Sequence, residues 1–371
     1  ESAETIDDGW RYRFPEGRVD PEHAENSARL ATVFSGLSTA VDAIGQEVED
    51  VLENAGSAER EQSEQWLSLV TAMGDRLIAA TALWRNYAEP ELNPPYARWV
   101  KFTTAGQIEG LEIQLASHPV SVAGELEERL WSRCAGAVLT SATISVARDF
   151  SVYQAKSGIE KSQTFVSLSS PFRFQEQAVL RIPQMEHDPG NADAHTEELG
   201  RLIPDLLGDE GGALVLFTSW RQMLRVYDEI NQEFRGRVLL QGDLSKQEIL
   251  KRHRDKVDAG EASCIFGLAS FAEGVDLPGD YCSHVVIAKL PFSVPDDPVD
   301  ATLSEWIERQ GGNAFYDLML PNAALRVVQA AGRLLRTETD SGTVSILDRR
   351  VITKSYGRLI LDSLPPFRRD F

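Results

Sequence analysis

The stretch ALVLFTSWRQMLRVYDEINQEFRGRVLLQGD, residues 213–243, decides the fold. It opens with an unbroken apolar run that ends in Thr218 and Ser219. Its middle repeats apolar residues at helical spacing, and it closes on a second short apolar run. An apolar run without alternation suits a strand buried on both faces, which is the habit of parallel sheets. Strand, helix and strand in such close succession form the unit from which those sheets are built.

The alternation continues on both sides. TFVSLSS and AVLRIP read as strands, and TEELGRLIPDLLGDEGG as a helix closed by glycines. KQEILKRHRDKVDAG reads as a helix, CIFGLAS and HVVIAKLPF as strands. DPVDATLSEWIERQGG and PNAALRVVQAAGRLLR are two further helices, and TVSILD and YGRLILDSL complete the set. The intervening PFSVPDDPVD is too rich in proline for an element interior and reads as a rigid excursion.

Residues 1–92 differ. ARLATVFSGLSTAVDAIGQEVEDVL and WLSLVTAMGDRLIAATALW carry helical periodicity, and a polar break between them suggests an antiparallel hairpin. GWRYRFPEGRVDPE before them reads as loop. After Pro94 and Pro95, ARWVKFTT and LEIQLASHPV alternate as strands do. VAGELEERLWSRC is a short helix, and AGAVLTSATI a buried strand.

With 371 residues the chain is long enough for two or three domains. No apolar run suffices to cross a membrane. The chain begins at Glu1 with no signal peptide, which suggests a fragment or a trimmed product. Cys134, Cys264 and Cys282 are far apart in apolar surroundings, as buried reduced thiols of a cytoplasmic protein would be. The net charge of -20 argues against a nucleic-acid partner when taken alone. Its distribution removes that objection: residues 1–90 hold 18 acidic and 7 basic side chains, residues 321–371 hold 5 and 9.

In parallel sheets, ligands bind beyond the carboxyl ends of strands. Here three apolar runs end in polar residues: Thr218 and Ser219; Ser270, Glu273, Gly274 and Asp276; Ser141 and Thr143. Hydroxyls and free backbone N–H groups suit phosphate oxygens. In the last long helix, Gln329, Arg333 and Arg336 fall on one face beside an apolar stripe, and two guanidinium forks match phosphate. Gly332, unfavourable inside a helix, suggests close approach by a neighbour or ligand. No GxxxxGK[ST] occurs and no DEAH-like Asp-Glu pair ends a strand, so these residues can form at most part of a nucleotide site.

In order, LTSATI, LFTSW, GLASFAEGVDLPGD and QAAGRLLR resemble the second half of a superfamily 2 helicase. The flanks SLSSPFRF, KLPFSVPDDPV and ILDRRVITKSYGRLILDSLP are similar to the DinG/XPD group of iron–sulfur DNA helicases, and within it most like the YoaA branch. The resemblance runs from about residue 95 to the end. It implies an α/β, RecA-like parallel sheet with helices on both faces, preceded by a helical, Arch-like region. The implied division is 1–92 as Arch-like domain, 93–150 as the returning part of a first motor domain, and 151–371 as the second.

By the same resemblance Arg336 is the arginine finger, supported by Arg333 and Gln329. Glu273, Gly274, Asp276 and Gly332 serve the nucleotide. Ser141, Thr143, Thr218, Ser219 and Ser270 serve DNA binding and coupling. ATP and Mg²⁺ would share a site whose other half, like the 4Fe-4S cluster, lies outside this chain. The implied activity is a 5′-to-3′ DNA helicase of damage tolerance or repair, acting on single-stranded or forked DNA. A clamp-loader chi subunit would dock on a tail that includes Arg368, Arg369 and Phe371. Two other readings stay open: a catalytically silent interaction module, and a nuclease fused to helicase-like motifs.

Overall fold

A computed structural model describes residues 3–6, 9–54, 56–104, 111–160, 162–209, 211–293 and 297–371. The chain divides into two compact units. One comprises Glu1–Gly124 with Val294–Ala314, the other Glu125–Ser293 with Phe315–Phe371. Expected boundaries at 92 and 150 do not coincide with this division. The strands after Pro95 join the N-terminal unit, and so does the helix Pro298–Arg309.

In the first unit, strands β1 (Ala3–Ile6), β2 (Gly9–Arg13), β3 (Tyr96–Thr104) and β4 (Leu111–Pro119) form an antiparallel sheet in that order. The loop expected at Gly9–Arg13 is therefore a strand. Its partner β3 lies far along the chain, and the pairing places Trp10 in a stack on Phe102, ring centroids 3.8 Å apart. Helices α1 (Pro21–Asn54) and α2 (Ser57–Ala88) form the expected hairpin.

The hairpin closes on a narrow seam. Phe34, Ser38, Val41, Gly45, Val48 and Leu52 are half-buried at alternating steps of four and three, and Leu67, Val70, Gly74 and Leu77 answer them from α2. A Cβ at Gly45 would stand 3.4 Å from Val70 Cγ1, and one at Gly74 3.9 Å from Val41 Cγ1. Small residues thus let the two helices approach closely.

At the root of the hairpin Arg98 is fully buried. Its guanidinium donates to the carbonyls of Gly17 (3.0 Å), Glu89 (2.8 Å) and Asn86 (2.6 Å) and to Asn86 Oδ1 (2.9 Å). It also faces the Tyr87 ring at 5.7 Å. Helix Pro298–Arg309 is tied to the same unit by Glu305, which accepts from Arg13 at 2.8 and 2.6 Å and from the Glu16 N–H at 2.6 Å.

The second unit is built on a seven-stranded, all-parallel sheet. Its strands are β5 (Ala178–Arg181), β6 (Gly212–Phe217), β7 (Val238–Leu240), β8 (Ser263–Leu268), β9 (His284–Ile287), β10 (Gly342–Ile346) and β11 (Arg368–Asp370). Their order is β11-β5-β10-β9-β6-β8-β7. Successive side chains of a strand point to opposite faces. In β6, Leu214 and Leu216 enter one core while Ala213, Val215 and Phe217 enter the other. Two cores on two faces explain why the run shows no polar alternation.

Two expected strands are absent. Residues 135–144 and 164–170 join no sheet, and Val138 is 95% exposed, Leu168 86%. An apolar run becomes a buried strand only where a neighbour pairs with it, and no described strand does. Cys134, just before the first of these regions, is exposed, against expectation, whereas Cys264 and Cys282 are buried on opposite faces of the sheet. YGRLILDSL contributes a helix, Gly357–Ser363. The C-terminal tail is not frayed: Arg368–Asp370 form an edge strand on β5, with side chains exposed. Of the proline-rich excursion, residues 294–296 lie outside the described residues.

Candidate functional site

Strand β6 has β8 on one side and β9 on the other. From β6 the chain moves outward to β7, returns to β8 and then crosses to β9. Such reversals open a crevice at the carboxyl ends of the strands. A cavity of about 300 Å³ lies there. Thr218 enters it from the end of β6, Ser270 and Glu273 from beyond β8, and Pro291 and Phe292 from beyond β9. Gln329 and Arg333 close it, together with Arg326. Five residues picked out in the sequence, Thr218, Ser270, Glu273, Gln329 and Arg333, are therefore brought together from three separate segments.

The arginines reach this place by a different route from the one expected. Helix Leu320–Ala331 stops at Gly332. Gln329 is helical, but Arg333 and Arg336 lie in the tight turns that follow, so the three do not share one helix face. Gly332 has φ -66°, an ordinary helical value. A Cβ there would meet Val328 O at 3.2 Å, so the nearest protein neighbour is its own helix.

What replaces the helix is a tie to the segment after β8. Arg333 Nη1 and Arg336 Nη2 each donate to Val275 O at 3.0 Å. Arg336 Nε lies 3.4 Å from Asp276 Oδ1. The Nε–H groups of both arginines are buried without a hydrogen-bond partner. Burial lowers the Arg333 pKa, and the like charge of Arg336 adds to the shift. Two adjacent guanidiniums with unspent donors form a site that an anion would relieve.

Asp340 fixes this turn, and the sequence reading missed it. It is 4% exposed and accepts from the N–H groups of Arg336 (2.7 Å), Thr337 (2.8 Å) and Gly279 (3.1 Å), and from the Thr337 hydroxyl. Burial alone would raise its pKa; these hydrogen bonds prevail and hold the carboxyl below its usual range. The signal was present as Thr-x-x-Asp, a local turn pattern. Asp340→Ala is expected to cost about 2–3 kcal/mol, since it leaves buried N–H groups unpaired. A depressed carboxyl pKa stabilises the fold above the unfolded value of about 4 and loses that contribution as pH falls through the folded value. Urea titrations between pH 7 and pH 3 should therefore show wild type and variant converging at acid pH.

The remaining candidates sit as follows. Gln329 Nε2 donates to Thr143 Oγ1 at 3.4 Å, and Ser141 Oγ accepts from the Thr143 N–H at 3.2 Å. Ser141 does not line the cavity. Ser219 caps the helix Trp220–Glu229, accepting from Gln222 N at 3.3 Å. Gly274 takes φ +68° in the turn between Glu273 and Val275, which favours glycine. Lys246 Nζ donates to Glu273 O and lies over the Phe271 ring at 5.1 Å. A wider groove of about 1470 Å³ runs past Thr143, Glu273, Gly332 and Arg336 toward Pro365–Phe367 and Arg369.

An anionic ligand fits these donors. Among the described residues, no cluster of three His, Cys, Asp or Glu side chains is placed to hold a metal ion. Cys282 is buried with its thiol pushed up to about 12, and burial raises Cys264 further. Neither is an available thiolate, and they point into different cores. No described helix is long and apolar enough to cross a membrane.

Residues 206–367 match the family described as helicase C-terminal domain. The ATP-dependent DNA helicase DinG of Photobacterium profundum is 37% identical over 367 residues, covering 96% of this chain and 52% of that protein. Its namesake from Salmonella typhimurium is 32% identical over 364 residues, covering 96% and 50%. The chain thus spans about half the length of these relatives. A solved structure of apo XPD superposes with a TM-score of 0.55 at 15% identity, over 85% of this chain and 63% of that one, which speaks for the fold alone. Motif order, parallel-sheet architecture and relatives agree, and the chain belongs to the DinG/XPD-type superfamily 2 helicases, corresponding to their C-terminal portion.

Proposed function

We propose that this chain supplies the second motor half of an ATP-dependent DNA helicase, with motifs III to VI. The observation that carries the reading is the joining of Arg333 and Arg336 to Val275 O beside the strand-end residues Ser270 and Glu273. Phosphoryl transfer is catalysed mainly by positioning and by charge that meets the migrating phosphoryl group. Arg336 would act as the finger on the terminal phosphate, with Arg333 and Gln329 holding the geometry. Glu273, Gly274, Asp276 and Gly332 form the adjoining wall. ATP brings the phosphoryl group, and Mg²⁺ would be held by carboxylates that this chain does not carry.

Thr218, Ser219, Ser270, Ser141 and Thr143 would face single-stranded or forked DNA. Ser219 would do so through its backbone, since its hydroxyl is engaged in the cap. The path from Thr143 through Gln329 to Arg333 gives coupling a physical route. Residues 1–92 we assign to an Arch-like domain, 93–150 to the return of the first motor domain and 151–371 to the second. Segments 135–144 and 164–170, apolar yet unpaired, fit sequences that complete a sheet only with a partner domain. A 4Fe-4S cluster would be held elsewhere in the longer polypeptide.

The YoaA-branch assignment, cytoplasmic location, 5′-to-3′ polarity and a role in DNA damage tolerance or repair follow the family reading. For chi-subunit docking, the support is that Arg368 and Arg369, on an edge strand, and Phe371, just after it, keep their side chains exposed. Deleting residues 365–371 should abolish capture of that subunit, and undiminished capture would reject the tail. The chain alone, lacking a phosphate loop, is expected to hydrolyse ATP no faster than a buffer control. DNA-stimulated release of phosphate by these 371 residues would refute the shared-site reading.

A further inference from the structure

The hairpin of the first unit carries more apolar surface than its seam uses. Leu37, Ile44 and Val51 on α1, and Trp66, Leu69 and Met73 on α2, are each between 49 and 56% exposed. They follow helical spacing but are rotated away from the seam. Because the helices run antiparallel, the two stripes come out on the same side. A groove of about 680 Å³ marks their junction, where Ile44, Val51 and Trp66 meet over Val48. Scattered apolar residues are normal on a surface; two aligned stripes flanking one groove mark an interaction face.

Charge narrows the choice of occupant. Residues 21–88 hold 11 acidic side chains against 4 basic ones. Glu47 lines the groove itself. Nucleic acid is repelled by such a face. A second copy of the hairpin would set acid against acid. An apolar helix flanked by lysine or arginine meets both requirements, because its stripe fills the groove and its flanks face carboxylates. From Leu37 to Val51 the stripe covers 15 residues, about 21 Å of helix axis at ~1.5 Å per step, or about four turns.

We propose that this face is a docking site for a basic amphipathic helix of a separate partner protein, which completes a three-helix bundle with α1 and α2. The proposal does not depend on the nucleotide reading, since none of these residues lies in the second unit.

The test uses the complete chain and two labelled synthetic helices of 21 residues. Both carry leucine at the a and d positions; one carries lysine at e and g, the other glutamate. Fluorescence anisotropy should show the lysine peptide bound at least ten times more tightly than the glutamate peptide, with affinity falling as salt rises. Ile44→Glu and, separately, Met73→Glu should each weaken it at least ten-fold while far-ultraviolet circular dichroism stays unchanged. Both sites are exposed, so loss of fold in one variant leaves the other informative. Equal affinity for the two peptides, binding undiminished in a folded variant, or no binding because other sequence covers the face would overturn the proposal. So would sedimentation showing a dimer of the chain that Ile44→Glu dissociates.

Discussion

Arg336→Ala, made in a polypeptide of the relatives' full length, is expected to slow DNA-stimulated ATP hydrolysis about 10³-fold or more. Three features locate the effect in the chemical step. The guanidinium is held at Val275 O and beside Asp276, so it is positioned before any ligand arrives. Its backbone N–H is fixed by Asp340, so the side chain starts from a defined point. Its Nε–H is buried beside Asp276 without a hydrogen-bond partner, so the guanidinium's hydrogen bonding is incomplete in this arrangement. An interaction made chiefly in the transition state lowers kcat and leaves KM for ATP nearly unchanged. Arg336→Lys keeps the charge but loses the fork, and should recover only a small part of the rate. Turnover within ten-fold of wild type in the alanine variant would remove Arg336 from the finger role.

Arg98→Ala is expected to cost the first unit about 3–5 kcal/mol. Arg98 is fully buried and bonds the carbonyls of Gly17, Asn86 and Glu89, thereby tying the root of the hairpin to the sheet. Truncation leaves those carbonyls without a donor and opens a cavity beside Tyr87, whose hydroxyl donates to Ala116 O at 2.7 Å. Lysine cannot reproduce a planar fork that reaches several carbonyls, so Arg98→Lys should be nearly as damaging. Denaturant unfolding followed by Trp fluorescence would measure the loss. A midpoint unchanged from wild type would show that the root of the hairpin is held by other contacts.

Much of the second unit was legible because its strands are buried on both faces and its helices are amphipathic. The run from Ala213 to Phe217 needed no partner to be recognised. The failures share one cause, which is dependence on residues distant in sequence. Gly9–Arg13 looked like loop because what makes it a strand is β3, some ninety residues on. Residues 135–144 looked like strand because a run of small and branched side chains usually finds a neighbour, and here none is described.

At the site, residue types were legible and geometry was not. Leu334 and Leu335 continue the apolar spacing of the last long helix, so spacing alone does not mark its end at Ala331. The turn that follows is fixed locally, where Asp340 captures the N–H groups of Arg336 and Thr337, and at long range, where it accepts from Gly279. That carboxylate fixes Arg336, and Val275 O, not a shared helix face, brings the guanidiniums of Arg333 and Arg336 together.

The central claim is that these arginines complete a nucleotide site from one side. The direct measurement is photolabelling of the longer polypeptide with an ATP analogue carrying an aryl azide on its γ-phosphate, followed by peptide mapping. The account predicts label within residues 332–337 or 273–277, competed away by ATP and lost in Arg336→Ala. Label that is equally competed by ATP but absent from both segments would contradict it.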